Sequence, residues 1–236
     1  MNLILILPDD FTATPGIVRL TGRRLRHVQQ IHRASVGDSL CVGMLDGNMG
    51  RGQVLNLNQQ SLELEVCFDQ RPPDKLPLAL VMALPRPKVL KRVLIAASSM
   101  GVGKICLINS WRVEKSYWQS PELNPEALRD TLILGLEQAK DTVLPHIELH
   151  RLFKPFVEDK LPQLSEGSFR LLAHPASQNI CPRNVATQTT LVIGPEGGFI
   201  PYEVNLLQEQ GFSPVHFGER ILRVETVVPA LIARLF

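Results

Sequence analysis

The stretch Leu191-Val-Ile-Gly-Pro-Glu-Gly-Gly-Phe199 decides the fold, because an apolar run typical of a strand stops there in a glycine-rich loop. Glycines adopt backbone angles that other residues avoid, and they let a ligand approach the main chain. Pro201 then opens a helical stretch that Gly211 ends. The segment is therefore predicted to be a strand, a loop and a helix, and ligands of open α/β sheets bind at such loops.

A second unit of the same kind closes the chain. The apolar run 214–217 is followed by Gly218, by the segment Leu222-Arg-Val-Glu-Thr226 and by a helix predicted from Val227 to Phe236. We expect Thr226 to cap this helix, which leaves Pro229 in the first turn, where proline is tolerated. Two loops with functional groups are thus predicted beyond the carboxyl ends of two strands.

A proline-containing linker, residues 69–77, divides the rest of the chain. Before it, short strands alternate with turns around one helix, which Thr21 is expected to cap and whose arginines are expected on the outer side. After it, strands and helices alternate, as in a parallel sheet covered by helices. We predict a small β-barrel in residues 1–70 and an α/β domain in residues 76–236.

Composition indicates an ordinary globular protein, with 44% hydrophobic and 20% charged residues among 236. No apolar run reaches membrane-spanning length, and the start lacks a basic leader, which predicts a cytoplasmic protein without a membrane partner. The four cysteines form no Cys-x-x-Cys pair, so we expect buried free thiols and no metal site.

Positive charge is concentrated in two stretches without acidic residues, although the net charge is only +2. Two basic blocks favour an anionic partner, which we interpret as nucleic acid. The alternative is that both blocks are solvated helix faces whose acidic neighbours lie close in space. The candidate RNA contacts are Arg23, Arg24, Arg26 and Arg33 in the first block and Arg86, Lys88, Lys91 and Arg92 in the second.

Several common motifs are absent from the sequence. There is no Gly-x-Gly-x-x-Gly dinucleotide fingerprint near the first strand of the α/β part, no phosphate-binding P-loop leading into a helix, and no Gly-x-Ser-x-Gly nucleophile elbow. These absences argue against a dinucleotide-dependent oxidoreductase, a P-loop nucleotide hydrolase and a serine hydrolase.

Motifs along nearly the whole chain resemble, in the same order, the RsmE family of 16S ribosomal RNA uracil-N3 methyltransferases, which belongs to the SPOUT class. The motifs are Gly37-Asp38 with Leu45-Asp46-Gly47, Glu137-Gln138, His174-Pro-Ala-Ser177, Ile193-Gly-Pro-Glu-Gly-Gly198 and Ile221-Leu-Arg-Val-Glu-Thr226. The resemblance implies a small N-terminal PUA-like β-barrel and a C-terminal SPOUT α/β domain with a deep trefoil knot. It also implies a homodimer formed through the knotted domain.

The resemblance further implies methylation of a uridine base at N3 in 16S ribosomal RNA, within the 30S subunit, with S-adenosylmethionine as the cofactor. Its cofactor-binding positions can be carried over to this chain residue by residue. They are Leu172, His174, Ile193, Gly194, Pro195, Gly198, Phe217, Gly218, Ile221, Leu222 and Val224.

Methyl transfer to uracil N3 needs an aligned nucleophile, a base for the N3 proton and a cation near the carbonyl oxygens. We expect Arg223 to stabilise the uracil anion or to orient the cofactor, and Glu196 or Glu225 to act as the base or to orient it. The alternative for both glutamates is structural. Glu196 would then cap the helix that follows it, and Glu225 would hold Arg223 in an ion pair.

Three positions depart from the pattern of the family. Ala96 and Ser99 stand where the family usually carries Lys and Glu, and Asp141 stands where an arginine usually follows the Glu-Gln pair. The cofactor loops are intact, whereas polar positions near the expected RNA pocket have changed. Two alternatives therefore stay open: a SPOUT methyltransferase for another RNA or for ribose 2′-O, and a non-catalytic RNA-binding or ribosome-assembly paralogue.

Overall fold

The computed structural model describes residues 2–236, which form two compact units. The first unit contains the chain up to Asp74 together with Ile133–Leu144, and the second contains Lys75–Leu132 and Pro145–Phe236. The first unit thus includes the distant segment Ile133–Leu144, which the predicted boundary at residues 69–77 assigns to the second unit.

The first unit is built on a five-stranded mixed sheet with strand order β1-β3-β4-β5-β2. Strand β1 pairs with β3 in parallel, and the other pairs are antiparallel. Alternate side chains are buried, as expected for a sheet with one solvated face. The strands are β1 (Ile4–Ile6), β2 (Ile17–Leu20), β3 (Ser39–Met44), β4 (Met49–Leu57) and β5 (Leu62–Gln70).

The alternation of buried and exposed side chains in this sheet shows that the expectation of four buried cysteines is wrong. Cys41 and Cys67 point to the solvated face and are exposed, whereas Cys106 and Cys181 in the second unit are buried; all four are free thiols. Two of the four cysteines are therefore not buried, because their strands cover a core on only one side.

The helix of the first unit, α1 (Gly22–His27), continues into a π-helical turn, Val28–His32. Thr21 precedes α1 as expected, but its side chain makes no capping hydrogen bond. Ile31 is 68% exposed, although the helical period places it beside the buried Val28. A π turn has more residues than an α turn, so the side chains after His27 rotate away from the core.

A long helix, α3 (Pro125–Ala139), begins directly after Asn124, because the Asn124 side chain accepts the Glu126 N–H at 3.0 Å and so caps the first turn. Its C-terminal part belongs to the first unit, where Ile133 and Leu136 pack with Leu3 and Leu5 of β1 and its flank.

The second unit contains a six-stranded sheet of order β11-β9-β10-β6-β7-β8 in which every pair is parallel. This confirms the predicted α/β architecture with a parallel sheet. The strands are β6 (Leu76–Ala83), β7 (Val102–Ile108), β8 (His146–His150), β9 (Phe169–Ala173), β10 (Thr189–Ile193) and β11 (Ser213–Val215). The remaining helices are α2 (Pro87–Ser99), α4 (Phe153–Pro155), α5 (Leu161–Leu164), α6 (Pro201–Glu209) and α7 (Val224–Leu235).

The last helix starts earlier than the sequence predicts. It begins at Val224 with Arg223 at the N-cap position, so Thr226 lies inside the first turn and does not cap it. Pro229 is consequently inside the helix, where it lacks the N–H that would bond to the carbonyl of Glu225. The apolar run 227–236 therefore misses the first turn of α7, which includes the buried Val224.

Across residues 2–236, no helix combines the length and the apolar character needed to cross a bilayer.

Candidate active site

A cavity of about 770 Å³ lies in the second unit, beyond the carboxyl ends of β9, β10 and β11. Its wall is formed by the loops after these three strands, by Arg112 from the loop after β7, and by the beginnings of α2 and α7. The loops meet because neighbouring parallel strands end at the same edge of the sheet, which is where ligands of open α/β sheets bind. A cavity of this size takes a ligand of nucleoside dimensions.

The cavity brings together the residues predicted to bind a cofactor, with one exception. Leu172 is fully buried in the middle of the sheet and forms no part of the wall. The predicted residues that do line the cavity are His174, Ile193, Gly194, Pro195, Gly198, Phe217, Gly218, Ile221, Leu222 and Val224.

Two glycines of the loop after β10 are required by its shape. Gly198 has a φ of +71°, a left-handed conformation in which a side chain is strained. At Gly197, a Cβ atom would lie 2.9 Å from Cδ of Arg112, whose guanidinium donates a hydrogen bond to the Gly197 carbonyl. The loop is therefore compact and leaves its main chain open to the cavity.

Glu196 lies in this loop and also lines the cavity. Its Oε1 accepts the backbone N–H of Arg86 at 3.0 Å, and Arg86 is the N-cap residue of α2. The expectation that Glu196 caps the helix following it is therefore wrong, because that helix, α6, is capped by Glu203 through the Ile200 N–H at 3.0 Å.

Arg223 and Glu225 line the cavity from the start of α7. The expected ion pair between them is wrong: among the described residues, Glu225 pairs with Arg92 of α2, with Oε1 and Nη1 4.0 Å apart. Arg223 is exposed at the cavity, so its guanidinium is available to a ligand.

Two further arginines line the cavity, Arg112 and Arg220, and sequence reasoning did not name either as a site residue. With Arg86 and Arg223, four arginines line the cavity against two carboxylates, those of Glu196 and Glu225. The cavity wall therefore carries a net positive charge. A hydrogen bond from Arg86 to Tyr117 raises the pKa of Arg86. Arg220 could have been predicted as a site residue from the sequence, because it lies three residues before Arg223 in the same loop.

The basic residues of the first unit divide into two kinds. Arg24 is turned inward: it donates to Asp10 Oδ1 at 2.7 Å and to the Leu5 carbonyl at 2.8 Å, which corrects the expectation of an outer position. Arg23 donates to Glu137 Oε2 at 2.7 Å. Arg26 and Arg33 are exposed and, within residues 2–236, form no ion pair.

The basic residues of α2 are on its solvated face. Lys88, Lys91 and Arg92 are exposed, whereas Leu90 and Val93 are buried. Only Arg92 has an acidic neighbour, Glu225, among the described residues. This face therefore presents a positive surface next to Arg86, which lines the cavity.

The three departures from the family pattern have different surroundings. Asp141 is buried, and its Oδ1 accepts the Val143 N–H at 3.0 Å in the turn after α3. Ala96 and Ser99 lie half-buried on α2. Asp141 therefore has a local structural role in the first unit.

Cys106, Glu148 and His150 place possible metal-ligating atoms within 4.8 Å of one another on β7 and β8. Burial raises the pKa of the Cys106 thiol to about 12, which keeps it protonated. Burial also acts to raise the pKa of Glu148, but hydrogen bonds from Lys104, His150 and His146 outweigh it and lower this pKa to about 2. The Lys104 Nζ lies 3.0 Å from Glu148 Oε1, so the group is an ion-pair cluster.

Because the folded-state pKa of Glu148 is lowered, its contribution to stability is full above pH 4.5 and is lost as the pH falls towards 2. We expect Glu148→Gln to lower the free energy of unfolding at pH 7 by about 1 kcal/mol, since the pair is partly solvated. Urea unfolding between pH 2 and 7 measures it. Glu158→Gln, which removes an exposed ion pair with Lys154 at 3.6 Å, is the control; equal losses in both variants would contradict the assignment.

The fold and the cavity agree with the comparison with known proteins. Residues 72–236 match the model of the RNA methyltransferase domain family, and the chain belongs to that family. The predicted resemblance to RsmE-type methyltransferases is confirmed by its relatives. The ribosomal RNA small subunit methyltransferase E of Treponema pallidum is 27% identical over 99% of this chain and 90% of its own length. Ribosomal RNA small subunit methyltransferase E 1 of Borreliella burgdorferi is 27% identical over 98% and 95%.

Two solved structures share the fold over nearly the full length. Ribosomal RNA small subunit methyltransferase E from Neisseria gonorrhoeae, bound to S-adenosyl methionine, has a TM-score of 0.74 at 19% identity and covers 99% of this chain and 95% of that one. A putative methyltransferase from Legionella pneumophila, in complex with the same cofactor, has a TM-score of 0.75 at 20% identity and covers 98% and 96%.

Proposed function

We propose that this chain transfers the methyl group of S-adenosylmethionine to N3 of a uridine base in 16S ribosomal RNA, as a step of ribosome biogenesis. The observation that carries the proposal is the convergence of three loops on one cavity that also contains Arg223, Glu196 and Glu225. The names of the relatives, which refer to the small ribosomal subunit, support the choice of RNA.

The residues of the cavity fit this cofactor. The main chain of the loop after β10 offers polar groups without side-chain bulk at Gly194, Gly197 and Gly198. Leu222 and Val224 offer an apolar surface suited to a flat adenine ring. S-adenosylmethionine, when bound, supplies an electrophilic methyl group on a sulfonium.

The side chains at the cavity have separate roles in this proposal. Arg223 stabilises the negative charge that develops on the uracil carbonyl oxygens when N3 loses its proton. Glu225, whose one ion pair among the described residues is the 4.0 Å contact to Arg92, accepts that proton. Glu196 is committed through Oε1 to the Arg86 N–H and orients the start of α2.

The direct test uses labelled S-adenosylmethionine and 30S subunits from a strain that lacks this gene and any paralogue. The RNA is digested after the reaction and the labelled nucleoside is identified. Label in 3-methyluridine supports the proposal, and label in a 2′-O-methylated nucleoside supports the ribose alternative. Cofactor binding without any transfer supports a non-catalytic paralogue.

The finer structural features implied by the resemblance belong to the same proposal. We propose that the five-stranded sheet of the first unit is a PUA-like barrel, that the backbone around the cavity forms a deep trefoil knot, and that two copies associate through it. A crystal structure tests the backbone path, and sedimentation tests the dimer.

Exposed arginines of the first unit are proposed to contact RNA phosphates. We expect the double variant Arg26→Glu, Arg33→Glu to weaken RNA binding and to reduce the slope of log K against log salt by about 0.7 for each phosphate that the protein no longer neutralises. Binding to 16S RNA fragments at several salt concentrations measures both. Arg71→Glu, an exposed arginine outside α1, is the control. An unchanged slope in the double variant would remove these two residues from the interface.

A different RNA target is the second candidate function, and the departures at Ala96 and Ser99 favour it. Both lie on α2, the helix that also presents Lys88 and Lys91. The departure at Asp141 does not favour a different RNA target, because Asp141 is buried and its carboxylate accepts a backbone N–H within the turn after α3. The nucleoside experiment, repeated with 50S subunits and transfer RNA, decides between the two targets.

A further inference from the structure

The second unit exposes a large aromatic side chain, Trp111, with 79% of its surface accessible. Its indole is therefore available to a ligand if the surroundings form a site. The other tryptophan, Trp118, is buried, and its indole Nε1 donates a hydrogen bond to Asn109 Oδ1 at 2.9 Å. Trp118 therefore serves the core, whereas the Trp111 indole contributes little to packing.

The main chain of Trp111 is nevertheless held in place. Its N–H donates to Oε1 of Glu203 at 2.7 Å, and Oε2 of the same carboxylate accepts the Ile200 N–H at 3.0 Å. Glu203 is only 3% exposed, so both bonds are shielded from water. One buried carboxylate thus ties Trp111 to the end of the glycine-rich loop, and the exposed indole is carried on a fixed backbone.

The surroundings of Trp111 are positively charged. Arg112, the next residue, lines the cavity and donates to the Gly197 carbonyl, which leaves most of its five N–H donors free for a ligand. Arg220 and Arg223 line the same cavity. Trp111 is thus joined to the basic cavity wall through its neighbour Arg112. An exposed aromatic ring and nearby guanidinium groups suit single-stranded nucleic acid, since bases stack on the ring and phosphates pair with the guanidinium groups.

We infer that Trp111 is a stacking platform for an unpaired base of the RNA, close to the nucleotide that is methylated, and that Arg112 and Arg220 contact the adjoining phosphates. The inference rests on the proposed function and adds the form of the substrate, a loop or single-stranded segment with an unstacked base. Stacking on the indole tolerates any base, because every base has a π face.

Tryptophan emission tests stacking without any methyl transfer. We expect a short single-stranded RNA containing uridine to quench the emission of the wild-type protein. In Trp111→Phe the quenching is lost while binding is retained, because phenylalanine still stacks. The buried Trp118 gives the same background signal in both proteins.

Binding and kinetics test the energetic part. We expect Trp111→Ala to weaken RNA binding about 5- to 150-fold and to raise KM for RNA with kcat unchanged, without altering the salt slope. Arg220→Gln is expected to reduce that slope by about 0.7. Phe169→Ala is the matched control: Phe169 is 42% exposed at the amino end of β9, opposite the loops that form the cavity.

Three outcomes would overturn the inference. In the first, RNA leaves the emission of the wild-type protein unchanged; in the second, Trp111→Ala binds RNA as tightly as wild type. In the third, Trp111→Ala changes the oligomeric state, which would place the indole between two copies of the chain. Quenching without methyl transfer would reject the proposed function and keep the stacking role. Methyl transfer with normal kinetics in Trp111→Ala would reject the stacking role and keep the proposed function.

Discussion

Replacing Arg223 with alanine is expected to lower kcat/KM for methyl transfer to RNA about 100- to 1000-fold, the effect typical of removing one donor that stabilises transition-state charge. The guanidinium lines the cavity from the N-cap position of α7 and is exposed, so its removal costs little folding stability. Binding of S-adenosylmethionine is expected to change by less than about threefold, because in the proposed mechanism the charge that Arg223 stabilises develops on the uracil.

Steady-state kinetics with 30S subunits and calorimetry with the cofactor measure the two quantities separately. Arg223→Lys is expected to recover part of the activity, because it keeps the charge and loses the planar fork of donors. Arg129→Ala is the control, since Arg129 is exposed on α3, does not line the cavity and has no assigned role. A loss below tenfold in Arg223→Ala, or an equal loss of cofactor affinity, would contradict the assigned role.

Arg23→Ala is expected to lower the free energy of unfolding by about 3 kcal/mol, a loss at the lower end of that found when one partner of a buried ion pair is removed. Its Nη1 lies 2.7 Å from Oε2 of Glu137, whose side chain is 1% exposed. Without Arg23, the contact that residues 2–236 leave to the buried carboxylate of Glu137 is the Leu5 N–H at 3.5 Å. Denaturant unfolding measures the change.

Two further variants serve as comparisons for the stability of Arg23→Ala. Arg26→Ala is expected to change stability by less than about 0.5 kcal/mol, because Arg26 is an exposed neighbour on the same helix. Glu137→Gln is expected to cost less than Arg23→Ala, because Arg23 is 48% exposed and reaches water without its partner. If Arg23→Ala unfolds like Arg26→Ala and instead reduces the salt slope for RNA, then Arg23 is an RNA contact, as the sequence first indicates.

The cofactor loops were predictable because their signals are local. An apolar run ending in glycines marks a strand and a loop, and the carboxyl ends of parallel strands meet at one edge. Thus Gly194, Gly198 and Gly218 lie in one wall as predicted, whereas Leu172 does not, because it precedes the last residue of β9 and is fully buried.

The remaining errors come from partners distant in sequence. Nothing near Arg24 in the helical pattern shows that Asp10 and the Leu5 carbonyl would hold it inside. Likewise, the structural alternative for Glu225 was an ion pair with its neighbour Arg223, but the structure pairs it with Arg92 of another helix. Trp111 and Arg112 were missed because a buried glutamate, Glu203, brings their loop to the cavity.

The discontinuity of the first unit has a consequence for protein synthesis. Leu3 and Leu5 are covered by Ile133 and Leu136, and the Asn2 and Leu3 N–H groups both donate to the Glu137 carbonyl. The nascent chain therefore cannot complete this unit when Asp74 leaves the ribosome; at about 5–20 residues per second, it waits roughly 4–14 s longer until Leu144 follows. During that interval the β1 side of the sheet is exposed, and a fragment truncated after the first seventy residues would keep it exposed permanently.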